Sequence, residues 1–175
     1  MFYSFCSSPV GRLDLASDGE SLVGLWIAGQ KYHGASIFPD LDPKEDLPVF
    51  VEVKKWLGCY FDGKRPSITD LPLAPIGSDF RQSVWDILRG IPYGEWITYG
   101  EIASQIAAKQ KRKSMSAQAV GGAVGHNPIS IIIPCHRVVG SNGNLTGYAG
   151  GIPTKLKLLQ WEGVDISGFY GEGYL

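Results

Sequence analysis

The chain has 175 residues, 44% of them hydrophobic and 19% charged, an ordinary globular composition with room for one solid core or two small ones. No stretch approaches the roughly eighteen apolar residues of a membrane-spanning helix, so none is predicted. The net charge of −1 gives by itself no sign of a nucleic-acid partner. Residues 1 to 30 read as strands joined by turns: FYSFCSS, GRLDLASD and SLVGLWIAG, with SPVG and SDGE between them. In DPKEDLPVFVEVKKWLGCYFDGKR the period becomes helical, through Phe50, Val53, Trp56, Leu57 and Tyr60. The proline-rich PSITDLPLAPIGS has no apolar period and predicts an extended linker.

Beyond the linker, SDFRQSVWDILRGIP predicts a helix. Ser78 is its N-cap, Phe80, Val84, Ile87 and Leu88 form one face, and Gly90 with Pro92 ends it. In TYGEIASQIAA, Thr98 and Glu101 have capping-box spacing. The cluster KQKRK is either a patch that steers a polyanion or a solvated loop. SAQAVGGAVGHNP follows, a helix made almost wholly of small residues, and the pair suggests a helix-turn-helix with a long loop. Gly121 and Gly122 each cost about 1 kcal/mol of helix propensity, so either a packed helix or a nucleic-acid backbone is expected close to them. Basic residues number seven against ten acidic up to Ile76, and nine against seven after it. The chain is therefore divided into 1–76 and 77–175.

SIIIPCHRVVG predicts a buried strand that ends in a thiol beside an imidazole. Cys135 is either a small core residue or a nucleophile. Neighbours in extended structure point to opposite faces, so His136 reaches the sulfur more easily through a water than directly. GSNGNLTGYAGGIPTK reads as a glycine-rich loop able to wall a pocket, and TKLKLLQWEG as the last helix. The three cysteines, Cys6, Cys59 and Cys135, form no framework, which predicts a reducing compartment, the cytosol. The opening residues show neither the basic nor the apolar part of a secretion signal. Cys6, His33 and Cys59 are too scattered to predict a zinc site.

IPCHRVV, with AVGGAVGHNP before it and GYAGG…K…LL…EG after it, resembles the O6-alkylguanine-DNA alkyltransferases, the methylated-DNA–protein-cysteine methyltransferases. The likeness is strong from about Ser78 to Gly163. It implies an α/β architecture: an N-terminal ribonuclease-H-like sheet-and-helix domain and a C-terminal winged helix-turn-helix. It implies direct-reversal DNA repair, in which a flipped O6-alkylguanine, or O4-alkylthymine, loses its alkyl group irreversibly to Cys135. His136 would act as base through a water, Glu162 would orient it, Tyr99 would donate to the departing guanine, and Asn127 would brace the turn. Ala117, Gln118, Val120, Gly121, Gly122 and Arg137 would meet DNA. Val138, Tyr148, Ala149, Gly150 and Gly151 would line the base pocket, with Lys155 near its mouth. The expected partner is double-stranded DNA containing O6-alkylguanine, bound by a monomer whose cooperativity is left open, with no cofactor, no metal and no membrane.

Gln118 stands where the family usually carries an arginine, which the resemblance reads as weaker binding partly offset by the basic loop. Ala149 stands where some members have serine. Two other readings are a lesion-binding module that recruits repair factors, and a cysteine hydrolase. The hydrolase is the poorer, because it needs a directly bonded imidazole and an oxyanion hole.

Overall fold

The structure is a computed structural model that describes residues 1–34 and 41–171. The chain forms two compact units, Met1–Ile76 with Pro128–Ile132, and Gly77–Asn127 with Ile133–Leu175. Both are mixtures of strand and helix, the first organised around a sheet and the second around helices.

In the first unit, β1 (Phe2–Ser8), β2 (Gly11–Ser17) and β3 (Leu22–Ile27) form an antiparallel meander, and the short β4 (Asp42–Pro43) runs parallel to β1. The order is β3-β2-β1-β4. All six residues of β3 are buried, which explains its near-continuous apolar sequence where β1 alternates. Gly24 is required there: a Cβ would lie 1.9 Å from the ring of Trp26. Helix α1 (Pro48–Phe61) packs on β1 and β2, and Phe50 and Val53 share the core with Leu13 and Leu15. Its first turn tolerates Pro48 because a helix start has no partner for that N–H.

Pro128–Ile132 belongs to this unit, fastened to β3 by Leu25 N to Pro128 O and Ser130 N to Leu25 O, both 2.8 Å. The predicted isoleucine strand is not one. Only Ile129 bridges, to Leu25, and the chain then turns, with Ile131 at φ 69°. Ile129 through Ile133 are nonetheless buried, so the run is apolar because of what covers it and not because it extends.

In the second unit α2 (Asp79–Arg89), α3 (Tyr99–Lys109) and α4 (Ala117–Gly125) pack on one another. Ser78 caps α2, the Thr98–Glu101 capping box forms in full, and Ser116 caps α4. Trp85, fully buried, donates from Nε1 to Ala123 O (2.9 Å) and so ties α2 to α4. Two short parallel strands, β5 (Ile97–Thr98) and β6 (Val138–Val139), complete the helix-turn-helix region. Helix α5 (Ile152–Trp161) begins two residues earlier than predicted, because Pro153 sits in its first turn and does not interrupt it. Val139, Leu145, Leu156, Leu159 and Phe169 form a separate core beneath it.

Candidate active site

Pro134 adopts φ −81°, ψ 65°, and the backbone closes through Cys135 N to Ile133 O (2.8 Å) and Arg137 N to Pro134 O (3.0 Å). Cys135–Arg137 is a single 3₁₀ turn. Successive side chains there diverge by about a third of a turn, so the opposite-face argument for Cys135 and His136 does not apply. Both residues are buried.

Glu162, the C-cap residue of α5, organises the cluster. His136 Nε2 lies 2.6 Å from its Oε1, Arg137 donates from Nε to Oε2 (2.8 Å) and from Nη2 to Oε1 (2.9 Å), and Gly94 N donates to Oε2 (3.1 Å). Burial alone would raise the Glu162 pKa. The hydrogen bonds and charges of His136 and Arg137 outweigh it and hold the carboxyl well below the usual range. Gly94 has φ +80°, and a Cβ would come within 3.0 Å of the Glu162 carbonyl, so glycine is needed at this close approach.

Burial lowers the pKa of His136 against the pull of Glu162, so the imidazole is neutral. An ionised carboxylate only accepts, which places the ring proton on Nε2 and the lone pair on Nδ1. Nδ1 is buried and without a hydrogen-bond partner among the described residues. The residue next in the chain is thus a neutral base with a free acceptor.

Burial raises the Cys135 thiol above its ordinary value, opposed by a side-chain hydrogen bond from Asn127 and by the charge of Lys155. The resting thiol is protonated and needs a base. Asn127 is buried and also donates from Nδ2 to Ile133 O (2.7 Å), so it braces both ends of the turn. Lys155 corrects the expectation of a residue at the pocket mouth. It is fully buried, desolvation lowers its pKa to about 8, and Nζ faces Gly147 O (3.4 Å) and the Tyr99 ring (5.8 Å to the centroid). Tyr99 donates to the carbonyls of Thr146 (2.9 Å) and Gly147 (3.3 Å). Burial and then the nearby Cys135 charge push its pKa up, so it stays a donor. The Tyr148 hydroxyl is buried, has no hydrogen-bond partner among the described residues, and is pushed up by burial, Cys135 and Glu162. Ala149, Gly150 and Gly151 are half-buried beside it, and Val138 is fully buried in β6.

The expected DNA-facing set divides. Ala117, Gln118 and Gly122 are exposed on α4, and a Cβ on Gly122 would meet nothing within 4 Å, so no packing partner among the described residues explains that glycine. A Cβ added to Gly121 would lie 3.9 Å from the Tyr99 ring, ordinary contact distance. Val120 is fully buried and packs inward. Arg137 is not a DNA contact here: its guanidinium is buried, and Nη1 donates to Ile91 O (2.6 Å) while the rest grips Glu162. Sequence reasoning passed over the Ile91–Gly94 turn, whose only signal was the IPYG that ends α2.

Comparison with known proteins gives the same family for both parts of the chain. Residues 79–164 match the family described as 6-O-methylguanine DNA methyltransferase, DNA binding domain, and residues 1–75 match its ribonuclease-like domain. A Haemophilus influenzae methylated-DNA–protein-cysteine methyltransferase is 43% identical over 93% of this chain and 86% of its own length. A Methanosarcina acetivorans protein of the same name is 44% identical over 93% of this chain and 99% of its own. The crystal structure of Mycobacterium tuberculosis OGT in complex with DNA superposes with a TM-score of 0.79 at 43% identity, covering 93% of this chain and 92% of that one.

Proposed function

The chain belongs to the methylated-DNA–protein-cysteine methyltransferase family, and from that premise we propose that it repairs alkylated DNA by moving the alkyl group of O6-alkylguanine onto Cys135. The observation that carries this reading is the buried, unpartnered Nδ1 of a neutral His136, whose other nitrogen is fixed on Glu162 and whose chain neighbour is the thiol.

The small exposed face of α4 lets a duplex approach closely, and the target base leaves the stack for the pocket beside Cys135. His136 Nδ1 takes the thiol proton through a bridging water. The sulfur attacks the alkyl carbon, the S–C bond forms, and the C–O6 bond breaks with its electron pair going to the guanine. Tyr99 exchanges its carbonyl partners for the guanine ring and donates as negative charge develops there. The positive charge of Lys155 favours the thiolate. The proton released by the thiol balances the one the restored guanine gains at the ring. The product is a thioether that water does not cleave, so each molecule acts once. It acts as a monomer on duplex DNA, in the cytosol, where its three free cysteines stay reduced.

Intact-protein mass spectrometry after incubation with an O6-methylguanine oligonucleotide tests this. Wild type should gain one methyl group and Cys135→Ser none. Retained lesion binding without a mass gain would replace transfer by a recruiting role.

A further inference from the structure

Helix α4 presents Ala117, Gln118, Ala119 and Gly122 outward and contains no charged residue. Protein–DNA affinity depends on cations that displace counterions from phosphates. In this unit they must come from another element.

Two grooves of nearly equal size lie on the helical part of the unit. One, of about 400 Å³, runs between α3 and the start of α4. Small side chains of α3, among them Ala103, Ser104 and Ala107, form its wall, and Arg112, Lys113 and Ser114 form its rim. The other, of about 410 Å³, lies by the end of α2 and is lined by Asp86, Glu95 and Glu101 among others. The first has no acidic side chain in its lining and the second no basic one. The first also has no aromatic side chain, so it offers no surface on which a base stacks. Its chemistry is that of a site for a sugar-phosphate backbone.

The backbone that carries the cations is ordered as far as Arg112. The loop folds back on α3 through Gln110 N to Ile106 O (2.9 Å), Lys111 N to Ala108 O (3.2 Å) and Arg112 N to Ala107 O (2.9 Å). Lys111 takes the left-handed conformation, φ 53°, that this reversal requires. Lys109, Lys111, Arg112 and Lys113 are all exposed, and none has an ion-pair partner among the described residues.

We propose that the α3–α4 groove binds the phosphate backbone of the duplex, with Arg112 and Lys113 each taking a phosphate beside the cation-free helix α4. The proposal rests on the alkyltransferase reading and adds to it the element that supplies DNA affinity.

The test uses the full-length protein with Arg112→Gln/Lys113→Gln. Binding to a lesion-free duplex is measured over a range of salt, and alkyl transfer is measured from the O6-alkylguanine oligonucleotide and from the free O6-alkylguanine base. Each phosphate contact contributes about 0.9 to the slope of log K against log salt, so the double variant should lose about 1.8. Transfer from DNA should slow at moderate salt, and transfer from the free base should not change. The matched change in the acidic groove, Asp86→Asn/Glu95→Gln, should leave the slope at or above its wild-type value. An unchanged slope in the Arg112/Lys113 variant, with wild-type transfer intact, overturns the groove assignment alone. Failure of wild type to transfer from either substrate overturns the underlying function.

Discussion

Two carboxylates in this protein are each held by a histidine and an arginine, one in each unit. Asp14 accepts from Tyr3 (2.9 Å), Arg12 (2.8 Å) and His33 (2.7 Å), and Arg12 also reaches the Tyr3 hydroxyl. Burial pushes Asp14 up, and its three hydrogen-bonded partners bring it below the usual carboxylate range. Glu162 is held by His136 and Arg137 in the same fashion. The difference lies in solvent. Side chains of Arg12 and His33 are 53% and 27% exposed, whereas those of His136 and Glu162 are 0% exposed. Water screens the first network, which ties strands β1 and β2 to the chain beyond β3. In the second, desolvation keeps the imidazole neutral, and its neighbour in the chain is a buried thiol. Under the proposed mechanism, an acid, a histidine and an arginine make chemistry only when a thiol and the exclusion of water are added.

The sharpest way to break this comparison is to remove each histidine. His136→Gln should slow alkyl transfer by about 10²- to 10⁴-fold in single-turnover assays, the usual worth of a general base. His33→Gln should leave the rate where it was; a comparable loss there would remove the distinction between the networks.

Removing the carboxylates comes next. Glu162→Gln leaves the Arg137 guanidinium buried without a counter-charge, and denaturant unfolding should show a loss of about 3–5 kcal/mol. Asp14→Asn, whose arginine is half in solvent, should cost about 1 kcal/mol.

Lys155 has a smaller effect of opposite sign. Between its folded pKa of about 8 and the ordinary lysine value, the unfolded chain binds a proton that the folded one does not, so stability rises with pH there. Lys155→Met removes that penalty. It should stabilise the protein at pH 7 by on the order of 2 kcal/mol, flatten the alkaline limb, and slow transfer.

The acid limb follows the same rule. Below about pH 6.5 unfolded His136 is protonated while the folded imidazole resists it, so stability falls as pH drops, by at most about 1.4 kcal/mol per pH unit. His136→Gln should reduce that slope in unfolding titrations.

The strands of the meander, the capped starts of α2 and α3, and the small helix α4 were legible because periodicity and caps are written in neighbouring residues. Cys135 and His136 stood out in the sequence as a thiol beside an imidazole, whereas Glu162 was reached only through the family motif. What was hidden depends on distant partners. Arg137 reads as an exposed cation until Glu162, 25 positions away, and Ile91, 46 positions away, come to meet it. Val120 and Lys155 lie on helices whose local pattern does not say how deeply each face is buried. The isoleucines look like a strand because the apolar run records burial, and burial here comes from packing around Leu25.

The anchoring of Pro128–Ile132 also sets a timetable. Strands β1 to β3 pair through tight local turns and can assemble as soon as they are made. Ser130 then has to find Gln30, 100 positions away, to which its hydroxyl donates at 3.1 Å. The turn that carries the thiol follows that segment, and the glutamate that fixes its histidine is synthesised later still. A growing chain therefore carries Cys135 beside an unanchored histidine until Glu162 has been added, and the cluster around the thiol is completed late.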